Sequence, residues 1–120
     1  MTTPQSVFNF TVEVKIEQGK GIFTIFDADG NPFNSTIEIE VENSEINYTL
    51  VNSESGMTFT DPLIDQQYDD LSYTLSEDKS KICFVDSDAD EETIALYLQT
   101  ELAGVVYTSQ DPQIRNKKRI

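Results

Sequence analysis

The sequence predicts an all-β fold, an immunoglobulin-like antiparallel β-sandwich of about seven to eight strands in one domain spanning residues 1–120. Three observations lead to this prediction. Apolar and polar residues alternate with a period of two in many short segments, which is the pattern of half-buried strands. Residues typical of turns separate these segments at short intervals. No segment has the sustained helical period and length that a βαβ unit needs.

The first predicted strand runs from Phe8 to Ile16, with apolar residues at the even positions and mostly polar residues at the odd positions. Gly19-Lys20 then fits a two-residue type II′ turn, which favours glycine at its first central position. This turn would pair Ile16 with Phe23 and place both side chains on one face of the hairpin.

The second predicted strand is apolar on both faces, because the same register leaves Ile22 and Phe26 on the face opposite Phe23. A strand of this kind needs a cover on each face. We therefore predict that Ile22 and Phe26 belong to an interface with a second sheet, another segment or another copy of the chain. On this basis we expect a homo-oligomer.

The segment from Ile37 to Leu50 carries the clearest hairpin pattern. Apolar residues alternate with glutamates up to Val41, and the alternation resumes at Ile46 after a predicted turn at residues 43–44. This register would place six apolar side chains on one face, namely Ile37, Ile39, Val41, Ile46, Tyr48 and Leu50. The opposite face would be acidic, with Glu38, Glu40, Glu42 and Glu45.

The remaining predicted strands are residues 57–60, 71–75, 81–85, 93–100 and 105–108. Asp61-Pro62 is expected to stop the first of them and Asp111-Pro112 to close the last. The strand at 81–85 is expected to be buried on both faces. Residues 93–100 are compatible with a helix, but their strict alternation favours a strand.

The charge is strongly acidic, with 22 Asp and Glu against 8 Lys and Arg and a formal net charge of −14. Such a surface repels the phosphates of nucleic acids and of anionic membranes, so we expect neither as a partner. Basic residues concentrate in a C-terminal tail, residues 113–120, which is either solvated or docked on the glutamates of residues 38–42. No signal peptide is predicted at the N-terminus, so we expect a cytoplasmic location.

The residue types argue against catalysis. The chain contains no histidine, which removes the common Ser-His-Asp, Cys-His and zinc arrangements, and it has no glycine-rich phosphate loop. Cys83 lies in an apolar run and is expected to be a small buried hydrophobic residue rather than a reactive thiol. We therefore expect no enzymatic activity and no cofactor, with calcium as the one alternative.

The acidic loop that begins at Asp86 is the strongest candidate for a ligand site. Asp86, Asp88 and Asp90 alternate along it, and carboxylates at alternate loop positions are typical oxygen ligands for calcium. The EF-hand pattern is not met, because Glu91 stands where that loop needs glycine and Tyr97 where it needs glutamate. The prediction is thus a calcium site of another type.

The C-terminal part of the chain reads Val105-Val106-Tyr107-Thr108 and then Asp111-Pro112-Gln113-Ile114-Arg115-Asn116. This ending resembles the DP-EP family of small bacterial proteins, and a similar ending occurs in AidA-type inclusion-body proteins. The resemblance implies an immunoglobulin-like sandwich and no established biochemical activity, and it transfers no functional residues. If the family name refers to Asp-Pro and Glu-Pro dipeptides, the chain departs from it, because it contains no Glu-Pro.

These observations lead us to expect a non-enzymatic binding or assembly module that self-associates and whose protein partner the sequence does not specify. One alternative is a calcium-responsive sandwich that uses the acidic loop at residues 86–92. A second alternative is a carbohydrate-binding or carbohydrate-active protein, which the absence of tryptophan disfavours.

Overall fold

The computed structural model describes residues 6–110 and 113–116, and these residues form ten β-strands and no helix. The all-β prediction is therefore confirmed. The strands are β1 (Val7–Glu17), β2 (Lys20–Phe26), β3 (Ile37–Ile39), β4 (Ser44–Leu50), β5 (Thr58–Asp65), β6 (Leu71–Leu75), β7 (Lys81–Asp86), β8 (Glu92–Leu102), β9 (Val105–Thr108) and β10 (Gln113–Asn116).

The strands build two sheets that pack together around one apolar core. The first sheet has the order β2-β1-β4-β7-β6, and the second has the order β3-β10-β8-β5, with β9 also paired to β8. Strands of both sheets supply the core, because alternate side chains of each strand point inward. Its largest fully buried side chains include Tyr48, Phe59, Phe84, Ile39, Leu96 and Ile114.

Both sheets are mixed, so the prediction of a purely antiparallel sandwich is wrong. Strand β1 runs parallel to β4, with Phe10 opposite Tyr48, and β10 runs parallel to β3, with Ile114 opposite Ile37. The other ladders between described strands are antiparallel. Ten strands exceed the expected seven to eight, partly because residues 113–116 form a strand within the predicted tail. The immunoglobulin-like assignment stays a prediction.

The hairpin predicted between residues 37 and 50 is wrong. Strand β3 pairs with β10 in the second sheet, whereas β4 pairs with β1 and β7 in the first. The chain crosses from one sheet to the other over residues 40–43, and Asn43 adopts a left-handed φ of 58° there. The inward side chains of β3 and β4 are buried as predicted, but they line opposite walls of the core. The alternation of apolar and polar residues specifies which face of a strand is buried, but it does not determine which strand pairs with it.

The turn between β1 and β2 lies one residue earlier than predicted. Gln18 and Gly19 both have positive φ, 51° and 78°, which fits a type I′ turn rather than the type II′ turn expected at Gly19-Lys20. Ile16 consequently pairs with Gly21 and not with Phe23. The register differs from the prediction by two residues, so every side chain keeps its predicted face.

Strand β5 continues through the proline that was expected to stop it. Its pairing with β8 shifts between Thr60 and Leu63, so Asp61-Pro62 forms an irregularity inside the strand. A bulge tolerates proline because the missing N–H is not needed by the ladder. The stop predicted at Asp111-Pro112 lies outside the described residues.

The later strands agree with the prediction in position but not always in burial. Residues 93–100 lie within β8, which confirms the strand over the helix, and Ile94, Leu96 and Leu98 are fully buried. Strand β7 is not buried on both faces, because Val85 is 39% exposed and Cys83 is half-buried. The outer face of β7 is therefore open to solvent in the single chain.

Candidate functional site

One end of the sandwich holds four buried polar side chains, which we call the acidic cluster: Asp70, Asp86, Glu92 and Asn116. Asp86 ends β7 and Glu92 begins β8, while Asn116 ends β10 and Asp70 lies just before β6. Strand pairing brings them together, because Asn116 stands opposite Glu92 and Asp86 stands opposite Leu71. Each has 8% exposure or less, which is unusual for carboxylates.

Hydrogen bonds tie the acidic cluster to the surrounding loops. Oδ2 of Asp70 accepts from Nδ2 of Asn116 at 3.2 Å and from the backbone N–H of Asp90 at 3.0 Å. Oδ1 of Asp86 accepts the backbone N–H of Asp88 at 2.8 Å. The cluster therefore orders the segment between β7 and β8 and holds it near β10.

Glu92 fixes the loop before β6 in the same way. Its Oε2 accepts the backbone N–H groups of Gln67 and Tyr68 at 2.9 and 3.1 Å. One carboxylate oxygen thus satisfies two donors of a loop that has no strand partner at this point. The loop at residues 66–70 depends on Glu92 for this contact.

Several oxygens of the acidic cluster lack a hydrogen bond. Oδ2 of Asp86, Oε1 of Glu92 and Oδ1 of Asn116 are buried and have no hydrogen-bond partner among the described residues. A buried acceptor without a partner costs about 1–3 kcal/mol. The cluster therefore has more acceptors than donors, and a bound proton or cation would supply what is missing.

Burial shifts the protonation equilibria of the cluster. Loss of hydration raises the pKa of Asp86 to about 6, and the negative charges of Asp70 and Asp88 act in the same direction. The backbone N–H of Asp88, which donates to Asp86, and the nearby side-chain amide of Asn116 oppose this rise in pKa. Burial also raises the pKa of Glu92, which has Asp70 as a carboxyl neighbour.

The three aspartates predicted as a calcium site do not act as one group. Asp86 and Asp88 are buried, whereas the side chain of Asp90 is exposed and contributes its backbone N–H to Asp70. Over residues 6–110 and 113–116, no three His, Cys, Asp or Glu side chains form a group that could hold a metal ion. The calcium site at these residues stays a prediction without geometric support.

Sequence reasoning singled out Asp86 and included Glu92 in the acidic loop at residues 86–92, but it missed Asp70 and Asn116. Glu92 and Asn116 share the inward parity of Ile94 and Ile114, so a polar residue at an inward position was a readable signal. Asp70 gave no such signal, because it lies in a loop and meets Asn116 only in the folded chain.

The predicted interface residues share the outer face of the first sheet, on edge strand β2. Ile22 is 45% exposed and stands opposite Lys15, whereas Phe26 is half-buried and stands opposite Thr11. Thr24 separates the two apolar side chains. They do not form a continuous apolar patch, so any interface here includes polar neighbours.

The protein is an all-β sandwich of two mixed sheets, with a buried acidic cluster at one end. The described residues contain no helix that could cross a membrane. The DP-EP family model matches residues 6–118, and the chain belongs to the DP-EP family. The family expected from the C-terminal motif is thus confirmed. A search of curated proteins found no match.

Proposed function

We propose that the protein is a non-enzymatic binding or assembly module that self-associates through the edge strand β6. The observation behind this proposal is the absence of charge on β6, Leu71–Leu75, in a chain with a net charge of −14. Natural proteins commonly protect edge strands with charges, proline or a covering loop, because an open edge pairs with other chains. An uncharged edge strand is therefore a candidate for pairing with a second copy.

The backbone of β6 leaves part of its outer edge open. Hydrogen bonds from Ser87 N–H to Asp70 C=O and from Ser76 N–H to Lys81 C=O set the alternation of the β6–β7 ladder. In that alternation Tyr73 and Leu75 direct their backbone groups away from β7. These groups are available to a strand that adds to the edge.

The end of the same edge at Leu71 is closed by a side chain. The amide of Gln66 accepts the N–H of Leu71 at 3.1 Å and donates to its C=O at 3.2 Å. Gln66 thus occupies the place of a neighbouring strand. The open stretch is short, because it comprises only the outward backbone groups of Tyr73 and Leu75, and its centre is Thr74.

A second copy fits this stretch by two-fold symmetry. Antiparallel pairing of two β6 strands about Thr74 would place Tyr73 of one copy opposite Leu75 of the other, so that the open backbone groups of both residues are used. The pairing brings no like charges together on these strands. Two of the other edges are protected: β5 contains Asp61-Pro62, and the N–H of Phe33 bonds to the β2 edge at Ile25.

We further propose a reducing compartment and a protein partner. Cys83 is a free cysteine, and its burial, assisted by the charge of Glu45, raises the thiol pKa and so disfavours the reactive thiolate. We propose the cytoplasm as this compartment, where a protonated free thiol persists. The acidic surface argues against nucleic acids and anionic membranes as partners.

Sedimentation velocity tests the proposal. We expect association at high micromolar concentration, strengthened by salt, because salt screens the repulsion between two acidic copies. The double substitution Ser72→Glu and Thr74→Glu should abolish it by placing like charges opposite each other.

Thr93→Glu with Thr108→Glu is the matched control, since it adds the same charge at exposed positions of the second sheet. A strictly monomeric wild-type protein at high salt would refute self-association. Equal association of both double variants would exclude β6 as the interface, and Ile22→Ser would then test the face of β2.

A further inference from the structure

We infer that the acidic cluster is a pH-sensitive switch, which holds β10 and the loop at residues 66–70 against the sandwich when protonated and loosens them when fully ionised. The inference goes beyond self-association, because the cluster lies among inward-facing and loop residues rather than on the open edge of β6. It rests on the unpaired oxygens, the burial and the charges of the cluster.

A bound proton supplies a hydrogen-bond donor that the acidic cluster lacks. Asp86 and Glu92 each have one oxygen engaged with backbone N–H groups and one buried oxygen without a partner among the described residues. Protonation of that second oxygen creates an O–H donor inside a group of acceptors. The unpaired Oδ1 of Asn116 is an acceptor within the same cluster.

Among residues 6–110 and 113–116, the charged groups that act on Asp86 are acidic. Asp70 precedes β6 and Asp88 follows β7, and Glu92, which begins β8, has Asp70 as its own carboxyl neighbour. No Lys or Arg of the described residues forms a salt bridge with Asp70, Asp86 or Glu92. Strand β10 contributes the neutral Asn116, while its Arg115 has the opposite parity and is exposed on the outer face. Full ionisation therefore adds mutual repulsion to the shortage of donors.

The direction of the pH effect follows from the same contacts. The pKa of Asp86 is about 6 in the folded protein against 3.8 for an ordinary aspartate, so the closed state binds the proton more tightly than an opened one. Stability from this group is complete below about pH 4 and is lost as the pH rises through about 6. Glu92, whose pKa is also raised, acts in the same direction.

The switch acts on elements distant in sequence. Asp70 holds Asn116 of β10, and Glu92 holds the N–H groups of Gln67 and Tyr68. Since β3 pairs with β10, the second sheet also depends on this contact. Opening would expose the end of β10 and the loop before β6 together.

Amide hydrogen exchange of the whole protein, followed by NMR at a concentration where it is monomeric, tests the switch. The informative amides are those of Asp88, Tyr68 and Asp90, which donate to the three carboxylates. After correction for intrinsic exchange, we expect their protection to rise about tenfold per pH unit as the pH falls from about 6 to about 4. Protection that stays constant over this range would overturn the inference.

Isosteric variants separate the switch from general charge effects. Asp86→Asn keeps the acceptor for the Asp88 N–H and adds a permanent donor. In this variant the three amides should therefore already be protected from exchange at pH 7, and their protection should lose most of its dependence on pH. Glu92→Gln is the second variant, in case the first does not fold. Asp29→Asn removes the same charge at an exposed loop position and should behave like the wild type. A pH dependence retained in full by both Asp86→Asn and Glu92→Gln would overturn the assignment to the acidic cluster.

Calcium provides a further decisive outcome. Under the inference, millimolar calcium at pH 7 leaves the protection of these amides unchanged. If calcium instead raised it to the level seen in acid, and Asp86→Asn abolished that effect, the missing partner would be a cation and the proton switch would be refuted.

Discussion

The hydroxyl of Tyr73 donates a hydrogen bond of 2.9 Å to Oδ1 of Asp61, which connects the edge strand of the first sheet to the irregular part of β5 in the second. This hydrogen bond is also the main cause of the raised pKa of Tyr73. The contact thus links the two sheets beside the open edge of β6.

We expect Tyr73→Phe to lower the free energy of unfolding by about 0.5–1 kcal/mol, because the bond is exposed and water competes for both groups. Urea denaturation measures the change. Tyr68→Phe is the control, since Tyr68 is also exposed, at 42% against 36% for Tyr73. Equal effects of the two substitutions would show that the bond to Asp61 adds nothing to stability.

Gln66→Ala should destabilise the protein by about 1–3 kcal/mol, because it removes the partner of both backbone groups of Leu71. The substitution should also lengthen the open edge of β6 and strengthen self-association. Chemical denaturation and sedimentation velocity measure the two effects. Gln67→Ala at the exposed neighbouring position should change neither, and a parallel change there would assign the effect to the loop as a whole.

Gly21→Ala should destabilise the contact between β2 and β9. A Cβ atom at position 21 would stand 2.7 Å from Cβ of Tyr107, which is too close for two carbon atoms, so one strand must shift. We expect a loss of about 1–3 kcal/mol, the usual cost of overpacking.

Thermal unfolding of the double variant Gly21→Ala with Tyr107→Gly provides the check on this steric cause. In the Tyr107→Gly background, the added methyl group should cost much less than in the wild type. An unchanged cost would mean that the backbone at position 21, and not the side chain of Tyr107, resists the substitution.

Ser109→Ala should cost about 1–3 kcal/mol, because the Ser109 hydroxyl accepts the buried N–H of Leu98 at 2.8 Å and no strand replaces it there. Ser53→Ala is the matched comparison, since Ser53 accepts the N–H of Val14 in the same way but is only half-buried. Urea denaturation should show the larger loss for Ser109→Ala. The reverse order would contradict the role given to burial.

The strands and their buried faces were predictable from the sequence, whereas the partners of several strands were not. The alternation around Ile94 and around Tyr48 identified the inward residues correctly, because burial on one face leaves a period of two. The partner of β3 could not be derived in this way. Ile37 stands opposite Ile114 in a parallel ladder. The sequence around either strand gives no indication of this pairing or of its direction.

The acidic cluster was predictable only in part, for a related reason. Asp86 stood out because it opens an acidic loop, and the inward positions of Glu92 and Asn116 were present in the pattern of β8 and β10. Their convergence with Asp70 depends on the pairing of β8 with β10 and of β6 with β7. That convergence is a property of the topology, which short-range alternation does not encode.

The position of β10 between β3 and β8 has a consequence for how the protein is made. Strand β3 ends at residue 39, and its ladder partner begins only at residue 113. During translation β3 must therefore leave the ribosome and wait while most of the chain is synthesised. Pairing across such a long sequence separation is slow, and a waiting strand is prone to aggregate. Glu38 within β3 and Glu40 beside it, both exposed, would keep the nascent strand soluble during that interval.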